Sequence, residues 1–190
     1  TMCFGLYSFV MLNSHAQAAD LQVGDKAPDF ELMNQHGDMV SLQSQLGKWV
    51  VLYFYPKNDT PGCTTEACSF RDNINKLITQ QAVILGVSVD DKESHQAFSQ
   101  KYKLPFSLLA DKDAVVAKKY NAVLDLKVVK FAKRHSFIID KQGKIAKIYR
   151  DVDPREHVRD DAGHSSSAIT DKYIDIELRA RHDSAKDKEI

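Results

Sequence analysis

The sequence predicts an α/β fold in which a mixed central β-sheet is flanked by helices. Three observations predict it: two continuous apolar runs rich in β-branched and aromatic residues, helical periodicity after each of them, and a late pair of apolar runs around a short glycine-containing loop. Continuous apolar runs are typical of strands buried on both faces of a sheet. Strands that alternate with helices and end in a hairpin indicate a sheet of mixed direction.

The predicted elements follow one another in a regular order. The predicted strands are Pro28–Met33, Trp49–Tyr55, Ala82–Val89, Phe106–Leu109, His135–Asp140 and Lys144–Tyr149. The predicted helices are Thr64–Thr79, the segment from Asp91 through Tyr102, and Ala114–Tyr120.

Local features of the sequence justify these elements. Pro56 stops the apolar run of the second strand. Apolar residues after Cys63 recur at spacings of three and four, the period of a helix with one buried face. Asp91 is a favourable N-cap residue for the next helix. The loop Lys141-Gln142-Gly143 separates two apolar runs, which is the pattern of a β-hairpin.

Composition and charge exclude several classes of protein. The 190 residues suit one domain with modest extensions, and 43% hydrophobic with 27% charged residues are ordinary values for a globular chain. Because 26 Lys and Arg residues balance 26 Asp and Glu residues, a strongly basic nucleic-acid-binding protein is not expected. Three cysteines are too few for a disulfide-scaffolded mini-protein, but they suffice for one redox pair.

The N-terminus has the pattern of a secretory signal peptide. Residues 2–12 form an apolar run that is too short to span a bilayer, which needs about twenty helical residues. Ala16-Gln17-Ala18 then matches an Ala-x-Ala cleavage site, although no Lys or Arg precedes the apolar run. We expect residues 1–18 to be removed together with Cys3, and the mature protein to be periplasmic or secreted. If this segment is instead a tail or a short buried helix, the protein is expected in the cytoplasm.

The remaining chain divides into a folded domain over residues 19–153 and a charged extension over residues 154–190. From Asp151 onward the sequence is dense in Asp, Glu, Lys, Arg and Ser. The triplet Ser165-Ser166-Ser167 is typical of a linker, and only a weak amphipathic stripe runs from Ile169 to Leu178. We therefore expect the extension to be solvated.

The chemistry is concentrated where the second strand gives way to a helix. The strand ends at Pro56, a loop follows, and Cys63 lies at the start of the helix. The unpaired N–H groups of a first helical turn carry a partial positive charge, which favours a thiolate over a thiol. The thiolate is the nucleophilic form of cysteine. This position therefore predicts a reactive cysteine.

The same segment resembles the peroxiredoxins. Their signature Pro-x-x-x-Thr/Ser-x-x-Cys is met by Pro56, Thr60 and Cys63. The wider string Tyr-Phe-Tyr-Pro-Lys…Thr-Pro-Gly-Cys-Thr, from Tyr53 to Thr64, is similar to the Q-type branch, also called bacterioferritin comigratory proteins. The resemblance extends from about Leu21 to Val152 and implies a thioredoxin-like fold.

The resemblance implies a role for each matching residue. Cys63 is then the peroxidatic cysteine, whose thiolate attacks the O–O bond of a hydroperoxide and becomes a sulfenic acid. Thr60 supplies a hydroxyl to the sulfur and the peroxide, Pro56 shapes and shields the pocket, and Arg134 holds the thiolate and polarises the peroxide. Singly, each residue has an ordinary explanation: a strand end, a loop hydroxyl bonded to its own backbone, and a solvated charge in a basic cluster. Glu66 carries a weaker signal, because a helix dipole favours an acid there in any case.

Cys68 is implied to be the resolving cysteine of an intramolecular Cys63–Cys68 disulfide, with an inert buried cysteine as the alternative. On one ideal helix the two Cα atoms would be roughly 8.6 Å apart, from an axial rise of about 7.5 Å and a rotation of about 140°. A disulfide tolerates a Cα separation of at most about 7 Å. The first turns are therefore expected to unwind after Cys63 is oxidised, and the reduced form to hold both cysteines unbonded on one helix.

The implied substrates are hydrogen peroxide and small organic hydroperoxides, and the implied reductant is thioredoxin or a similar dithiol protein. A monomer is expected, with a weak dimer as the alternative, and no stable membrane span. The sequence has no glycine-rich phosphate loop, and His36, His95 and His135 stand alone, so no nucleotide, flavin or metal cofactor is expected.

Two other functions stay open at this point. One is an exported thiol–disulfide oxidoreductase that acts on proteins, although the cysteine spacing does not match Cys-x-x-Cys. The other is a non-enzymatic holdase that keeps the fold. The sequence also departs from the Q-type pattern after Pro154–Val158, where a strongly charged segment replaces the usual apolar closing helix.

Overall fold

The computed structural model of the chain describes residues 20–79, 81–127 and 129–153. The expected signal peptide at residues 1–18 and the expected extension at residues 154–190 lie outside the described residues. The boundaries of the folded domain therefore stay a prediction.

Strands and helices alternate in the middle of the described chain, which begins and ends with consecutive strands. The strands are β1 (Glu31–Met33), β2 (Met39–Ser41), β3 (Trp49–Phe54), β4 (Ala82–Ser88), β5 (Ser107–Ala110), β6 (Val123–Asp125), β7 (Lys130–Ala132), β8 (Ser136–Ile139) and β9 (Ile145–Tyr149). The helices are α1 (Pro61–Asp72), α2 (Ile74–Thr79), α3 (Lys92–Tyr102) and α4 (Val115–Lys119), with a 3-10 turn at Gln43–Gln45. None of the helices in this part of the chain is long and apolar enough to cross a bilayer.

A five-stranded mixed sheet forms the centre of the described chain. Its strand order is β5-β4-β3-β8-β9, with β3, β4 and β5 parallel and with β8 and β9 antiparallel to their neighbours. Two short hairpins, β1–β2 and β6–β7, lie outside it. The mixed α/β sandwich predicted from the sequence is therefore confirmed, as is the closing hairpin.

Alternate residues of β3 face two apolar layers. Val50, Leu52 and Phe54 belong to the layer that includes α4 and the β1–β2 region. Val51 and Tyr53 belong to the layer that includes α1, α2 and α3. Because side chains alternate along a strand, a continuous apolar run is the pattern that a strand between two helical layers requires.

The helix after β3 differs from the single helix predicted over Thr64–Thr79. It begins earlier, because Pro61 suits the first helical position. It is also interrupted at Asn73, whose backbone leaves the helical region (φ −107°, ψ 10°) and whose Nδ2 donates to the Ser69 carbonyl at 3.0 Å. Asparagine competes for backbone hydrogen bonds in this way, so it favours helix ends. The predicted N-cap at Asp91 is confirmed, since its carboxylate accepts from the Ser94 N–H at 2.9 Å.

The β6–β7 hairpin was not predicted. Its strands have three residues each, and Leu124 lies opposite Phe131 in the register. Several of its apolar side chains are exposed, so it lacks the buried apolar run that identifies a central strand. The hairpin precedes Arg134 and lies beside the site described next.

Candidate active site

Cys63 lies in the first turn of α1. Thr60 is the extended N-cap residue, and the first backbone hydrogen bond of the helix joins the Thr64 N–H to the Thr60 carbonyl at 2.9 Å. The amide of Cys63 therefore lies among those that a helix N-terminus leaves without an intrahelical partner. Cys63 is itself only 1% exposed. The helix start thus places a buried thiol where backbone dipoles favour a negative charge.

Arg134 links the thiol to a buried carboxyl group. Its Nη2 donates to Cys63 Sγ at 3.2 Å, and its Nη1 donates to Glu66 Oε2 at 3.1 Å. Cys63 and Glu66 share one face of α1 because residues three apart on a helix are neighbours. The segment before β8 brings the guanidinium across from a position 71 residues later in the chain. The structure therefore unites Arg134 with Cys63, as the resemblance implied.

Glu66 is the ionisable group of the site that its surroundings perturb most clearly. Burial raises the pKa of Glu66 to about 7, although the charge of Arg134 and its hydrogen bond act in the opposite direction. Its Oε1 has no hydrogen-bond partner among the described residues. Near neutral pH the carboxyl group is therefore partly protonated, and in that form it does not compete with a thiolate for the positive charge of Arg134.

Pro56, Thr60 and Arg134 line one pocket of about 500 Å³. The Thr60 hydroxyl donates to the Lys57 carbonyl at 3.1 Å, so in this state it bonds its own loop. Pro56 is half-buried and lies two residues after the end of β3. The structure thus brings together the three predicted pocket residues, with Cys63 in contact with the Arg134 guanidinium.

The other wall of the pocket comes from the β6–β7 hairpin and the residues after β9. Leu124 and Phe131 contribute apolar surface there, and Val152 adds more. Charged side chains complete the lining: Lys57, Lys133 and Asp151. The sequence analysis did not predict this wall. Leu124 and Leu126 are nevertheless apolar residues two positions apart, which is the spacing of one face of a strand.

Cys68 lies on α1 with Cys63, and the two thiols are unbonded. Cys63 is buried and Cys68 is half-buried. This is the arrangement expected for the reduced form. Because five helical residues place two side chains on different faces, a bond between these sulfurs requires α1 to unwind locally.

The loop that carries Pro56 and Thr60 is tied to β4 and α3 by buried polar side chains. Asn58 contacts Tyr55, Ser94 and His95, and its backbone N–H donates to Asp90 Oδ2 at 2.9 Å. Sequence reasoning set His95 aside as an isolated histidine and did not consider Asn58. Contacts between residues nearly forty positions apart leave no signal in a single sequence. Among the described residues, no group of three or more His, Cys, Asp or Glu side chains is arranged to hold a metal ion.

Comparisons with known proteins agree on one family. The family model described as AhpC/TSA matches residues 23–148. Peroxiredoxin Bcp of Bacillus subtilis is 46% identical over 144 residues, which cover 73% of this chain and 90% of that protein. The crystal structure of peroxidoxin BcpB from Mycobacterium tuberculosis superposes with a TM-score of 0.72 at 31% identity, covering 84% of this chain and 97% of that one.

A second similar structure comes from a protein with a named peroxide-reducing activity. It is the bacterioferritin comigratory protein of Xanthomonas campestris, described in terms of its alkyl peroxide reduction activity and seen in a trapped intermediate/ligand complex. It superposes with a TM-score of 0.65 at 30% identity, covering 72% of this chain and 90% of that one.

Proposed function

This chain belongs to the AhpC/TSA family and is a peroxiredoxin, a thiol peroxidase that reduces hydroperoxides, and from this premise we propose that Cys63 is its peroxidatic cysteine. The observation that carries the assignment is the 3.2 Å contact between Arg134 Nη2 and the buried Cys63 sulfur. Arg134 itself lines a pocket together with Pro56 and Thr60. The thiolate attacks one peroxide oxygen, and the O–O bond breaks. The sulfur becomes a sulfenic acid, and the departing oxide takes a proton to leave as water or an alcohol.

Arg134 is the residue that stabilises charge along this reaction. Negative charge moves from the sulfur to the departing oxygen, and a guanidinium offers several fixed donors to both. Donors fixed in advance stabilise a transition state without reorganisation. The contact with Glu66 fixes the plane of the guanidinium, so Glu66 acts through Arg134.

The pocket supports both hydrogen peroxide and small organic hydroperoxides as substrates. The polar side of the pocket, formed by Thr60 and Arg134, suits the O–OH group, whereas Leu124 and Phe131 offer an apolar surface to an alkyl group. The alkyl peroxide activity described for the Xanthomonas protein agrees with this division.

Cys68 completes the cycle as the resolving cysteine. Its thiolate attacks the Cys63 sulfenic acid, which forms the S–S bond and releases the oxygen as water after protonation. The unwinding of α1 that the spacing requires brings the two sulfurs together. A thioredoxin-like dithiol protein then reduces the disulfide by exchange, and its own dithiol becomes oxidised. We propose a monomer, with a weak dimer as the alternative.

Export belongs to the same proposal. If residues 1–18 are removed during secretion, the mature protein carries only Cys63 and Cys68, and its reductant is an exported dithiol protein. Finding Cys3 retained in a cytoplasmic chain would contradict this part alone.

Stopped-flow oxidation of the reduced protein tests the assignment. The parent is expected to react with one equivalent of peroxide far faster than free cysteine does. Cys63→Ser is expected to show no reaction, because an alcohol is not ionised near neutral pH. Cys68→Ser is expected to react once, to stall with thioredoxin, and to reach the sulfinic state sooner under excess peroxide.

Different outcomes identify the other two functions. A protein disulfide exchanger would show slow peroxide oxidation and rapid exchange with protein thiols. A holdase would keep its activity in Cys63→Ser. Intact mass after oxidation distinguishes a Cys63–Cys68 disulfide, which lowers the mass by two hydrogens, from a sulfenic acid, which raises it by one oxygen.

A further inference from the structure

A buried group of polar side chains lies behind the loop that carries Pro56 and Thr60. We call it the Asn58 cluster, and its members are Tyr55, Asn58, Asp90, Ser94 and His95. Tyr55, Asn58 and His95 are each 6% exposed or less. Such a group is costly to bury unless its hydrogen bonds are made, so its presence requires an explanation.

Both polar atoms of the Asn58 side chain form hydrogen bonds. Its Oδ1 accepts from the Tyr55 hydroxyl at 2.8 Å. Its Nδ2 has two hydrogens, which point to Ser94 Oγ at 2.9 Å and to His95 Nδ1 at 3.1 Å. An amide that bonds Tyr55, just after β3, and both Ser94 and His95 on α3 has one orientation, and the loop residue that carries it is held accordingly.

The backbone of Asn58 is held as well. Its N–H donates to Asp90 Oδ2 at 2.9 Å, and the same carboxylate oxygen accepts from the Ser88 hydroxyl at 2.7 Å. The loop is therefore attached both to the end of β4 and to the first turn of α3. Pro56 lies two residues before Asn58 and Thr60 lies two residues after it, so the attachment point is central to the pocket-forming loop.

The hydrogen-bond pattern requires one form of His95. An Asn58 N–H points at Nδ1, so Nδ1 is an acceptor and the ring proton lies on Nε2. Burial lowers the pKa of His95 against the opposing charges of Asp90 and Asp91, and this favours the same neutral ring. The Tyr55 hydroxyl lies 3.3 Å from Nδ1 but donates to Asn58.

We propose that Asn58 is a positioning residue for the peroxidase reaction, and that it holds Pro56 and Thr60 in place through neutral His95, Ser94 and Tyr55. The proposal rests on the proposed function, since it assigns Asn58 a role in the reaction of Cys63. Asn58 does not touch the reacting atoms and acts only through the loop.

Stopped-flow oxidation of Cys63 with hydrogen peroxide tests the role in the reaction. Asn58→Ala removes all three side-chain contacts and is expected to slow oxidation at least about tenfold, the effect of two ordinary hydrogen bonds. Ser94→Ala removes one acceptor and is expected to slow it about threefold. Asn58→Asp keeps acceptors for Tyr55 and Ser94 and is expected to stay within about threefold of the parent.

Asp59→Asn is the matched control. Asp59 is the next residue of the same loop and also contacts α3, through an exposed ion pair with Lys101 at 2.7 Å. Asparagine tolerates its left-handed backbone (φ 57°). This variant is expected to oxidise at the parent rate. An Asn58→Ala rate within twofold of a reactive parent would overturn the proposal alone, whereas an unreactive parent would overturn the proposed function with it.

Nitrogen-15 NMR of the His95 ring gives a readout that does not depend on activity. The parent is expected to show the Nε2–H form at neutral pH. In Asn58→Asp a carboxylate faces Nδ1 and accepts a proton instead of donating one, so the His95 pKa is expected to rise by more than about one unit. An Nδ1–H ring in the parent, or an unchanged His95 pKa in Asn58→Asp, would overturn the assigned hydrogen bonds. If Asn58→Ala does not fold, the oxidation rate of Ser94→Ala and the NMR measurements still test the proposed role of Asn58.

Discussion

The loop before Cys63 and the helix after it are held to the protein in different ways. The loop is attached through the buried hydrogen bonds of Asn58 to β4 and α3. The start of α1 is held by apolar packing and by the guanidinium of Arg134, which contacts the Cys63 sulfur itself. The hydrogen bonds that hold the loop do not involve the Cys63 sulfur. The hydrogen bond from Arg134 to the helix does. Oxidation of Cys63 is therefore expected to weaken the attachment of the helix and to leave that of the loop unchanged.

Replacing Arg134 is expected to have the largest effect, because it removes the polar contact on the helix side. Arg134→Ala is expected to slow Cys63 oxidation roughly 100- to 1,000-fold, as the loss of one transition-state donor does. Arg134→Lys is expected to recover little of this, since an ammonium cannot reach Cys63 and Glu66 with two fixed donors. Stopped-flow kinetics measures both, with the exposed Lys130→Ala as control. A rate within twofold of the parent in Arg134→Ala would show that another group stabilises the thiolate.

The carboxyl group on the helix side gives a pH-dependent prediction. The folded protein raises the pKa of Glu66 to about 7, so between about pH 4.5 and 7 the folded state binds more protons than the unfolded chain. The contribution of protonated Glu66 to the unfolding free energy is complete below about pH 4.5 and is lost as the pH rises towards 7. It amounts to at most about 3 kcal/mol.

Denaturant unfolding of the parent and of Glu66→Gln across this range measures the effect. The difference in unfolding free energy between the two proteins is expected to change with pH, and the contribution of His95, which has the opposite sign, cancels in the comparison. Glu93→Gln, at an exposed position on α3, is the control and is expected to follow the parent. A pH-independent difference for Glu66→Gln would contradict a raised pKa.

Hydrogen exchange is expected to separate the loop from the helix directly. On conversion to the Cys63–Cys68 disulfide, amides between Cys63 and Cys68 are expected to lose protection on the order of 100-fold, because α1 must unwind there. The Asn58 amide, bonded to Asp90, and the amides of β3 are expected to keep theirs. Amide hydrogen exchange measured on the reduced and the oxidised protein shows whether the two segments respond differently. Equal loss at Asn58 would mean that the loop and the helix open together.

A smaller effect is expected from the packing beneath the helix. Gly86 of β4 lies opposite Tyr53, and a Cβ at this position would come within 2.7 Å of the Tyr53 ring. The ring in turn packs on Phe70 of α1 with a centroid distance of 4.9 Å. Gly86→Ala is expected to lower the unfolding free energy by about 1 to 3 kcal/mol, the usual effect of overpacking.

The control for this prediction is a double variant. Tyr53→Leu removes the ring atoms nearest to the new methyl group and leaves Leu108 Cδ2, at 2.9 Å, in place. The two substitutions together are therefore expected to destabilise less than the sum of the single changes. Thermal or denaturant unfolding measures this coupling. Strict additivity would show that the methyl group does not act through Tyr53.

A candidate site is visible in the sequence where its residues are neighbours along the chain. Pro56, Thr60 and Cys63 occupy one short loop and helix start, so their joint pattern was visible. Arg134 is 71 residues away from Cys63, and only the family resemblance, not its own surroundings in the sequence, singled it out. The apolar run of β3 likewise identified the buried centre of the sheet.

Sequence reasoning failed where a property depends on burial or on long-range contact. The raised pKa of Glu66 comes mainly from burial, which the sequence around it does not reveal. His95 stands alone in the sequence as a possible metal ligand, and its contact with Asn58, 37 positions away, is not visible there. The helical period continues through Asn73, so periodicity predicted one helix, although a side-chain hydrogen bond to the backbone ends it there.

The helix break at Asn73 sets the length of chain that melts as one cooperative unit. Helical hydrogen bonds reinforce one another along an uninterrupted run, and melting that begins at one end spreads through that run. The run that contains Cys63 ends at Asn73, and α2 begins a separate one with Leu77 buried in the apolar layer. A redox change at Cys63 can therefore melt α1 without melting α2. We therefore expect the protein to lose and regain α1 in each turnover, while α2 keeps its core contacts.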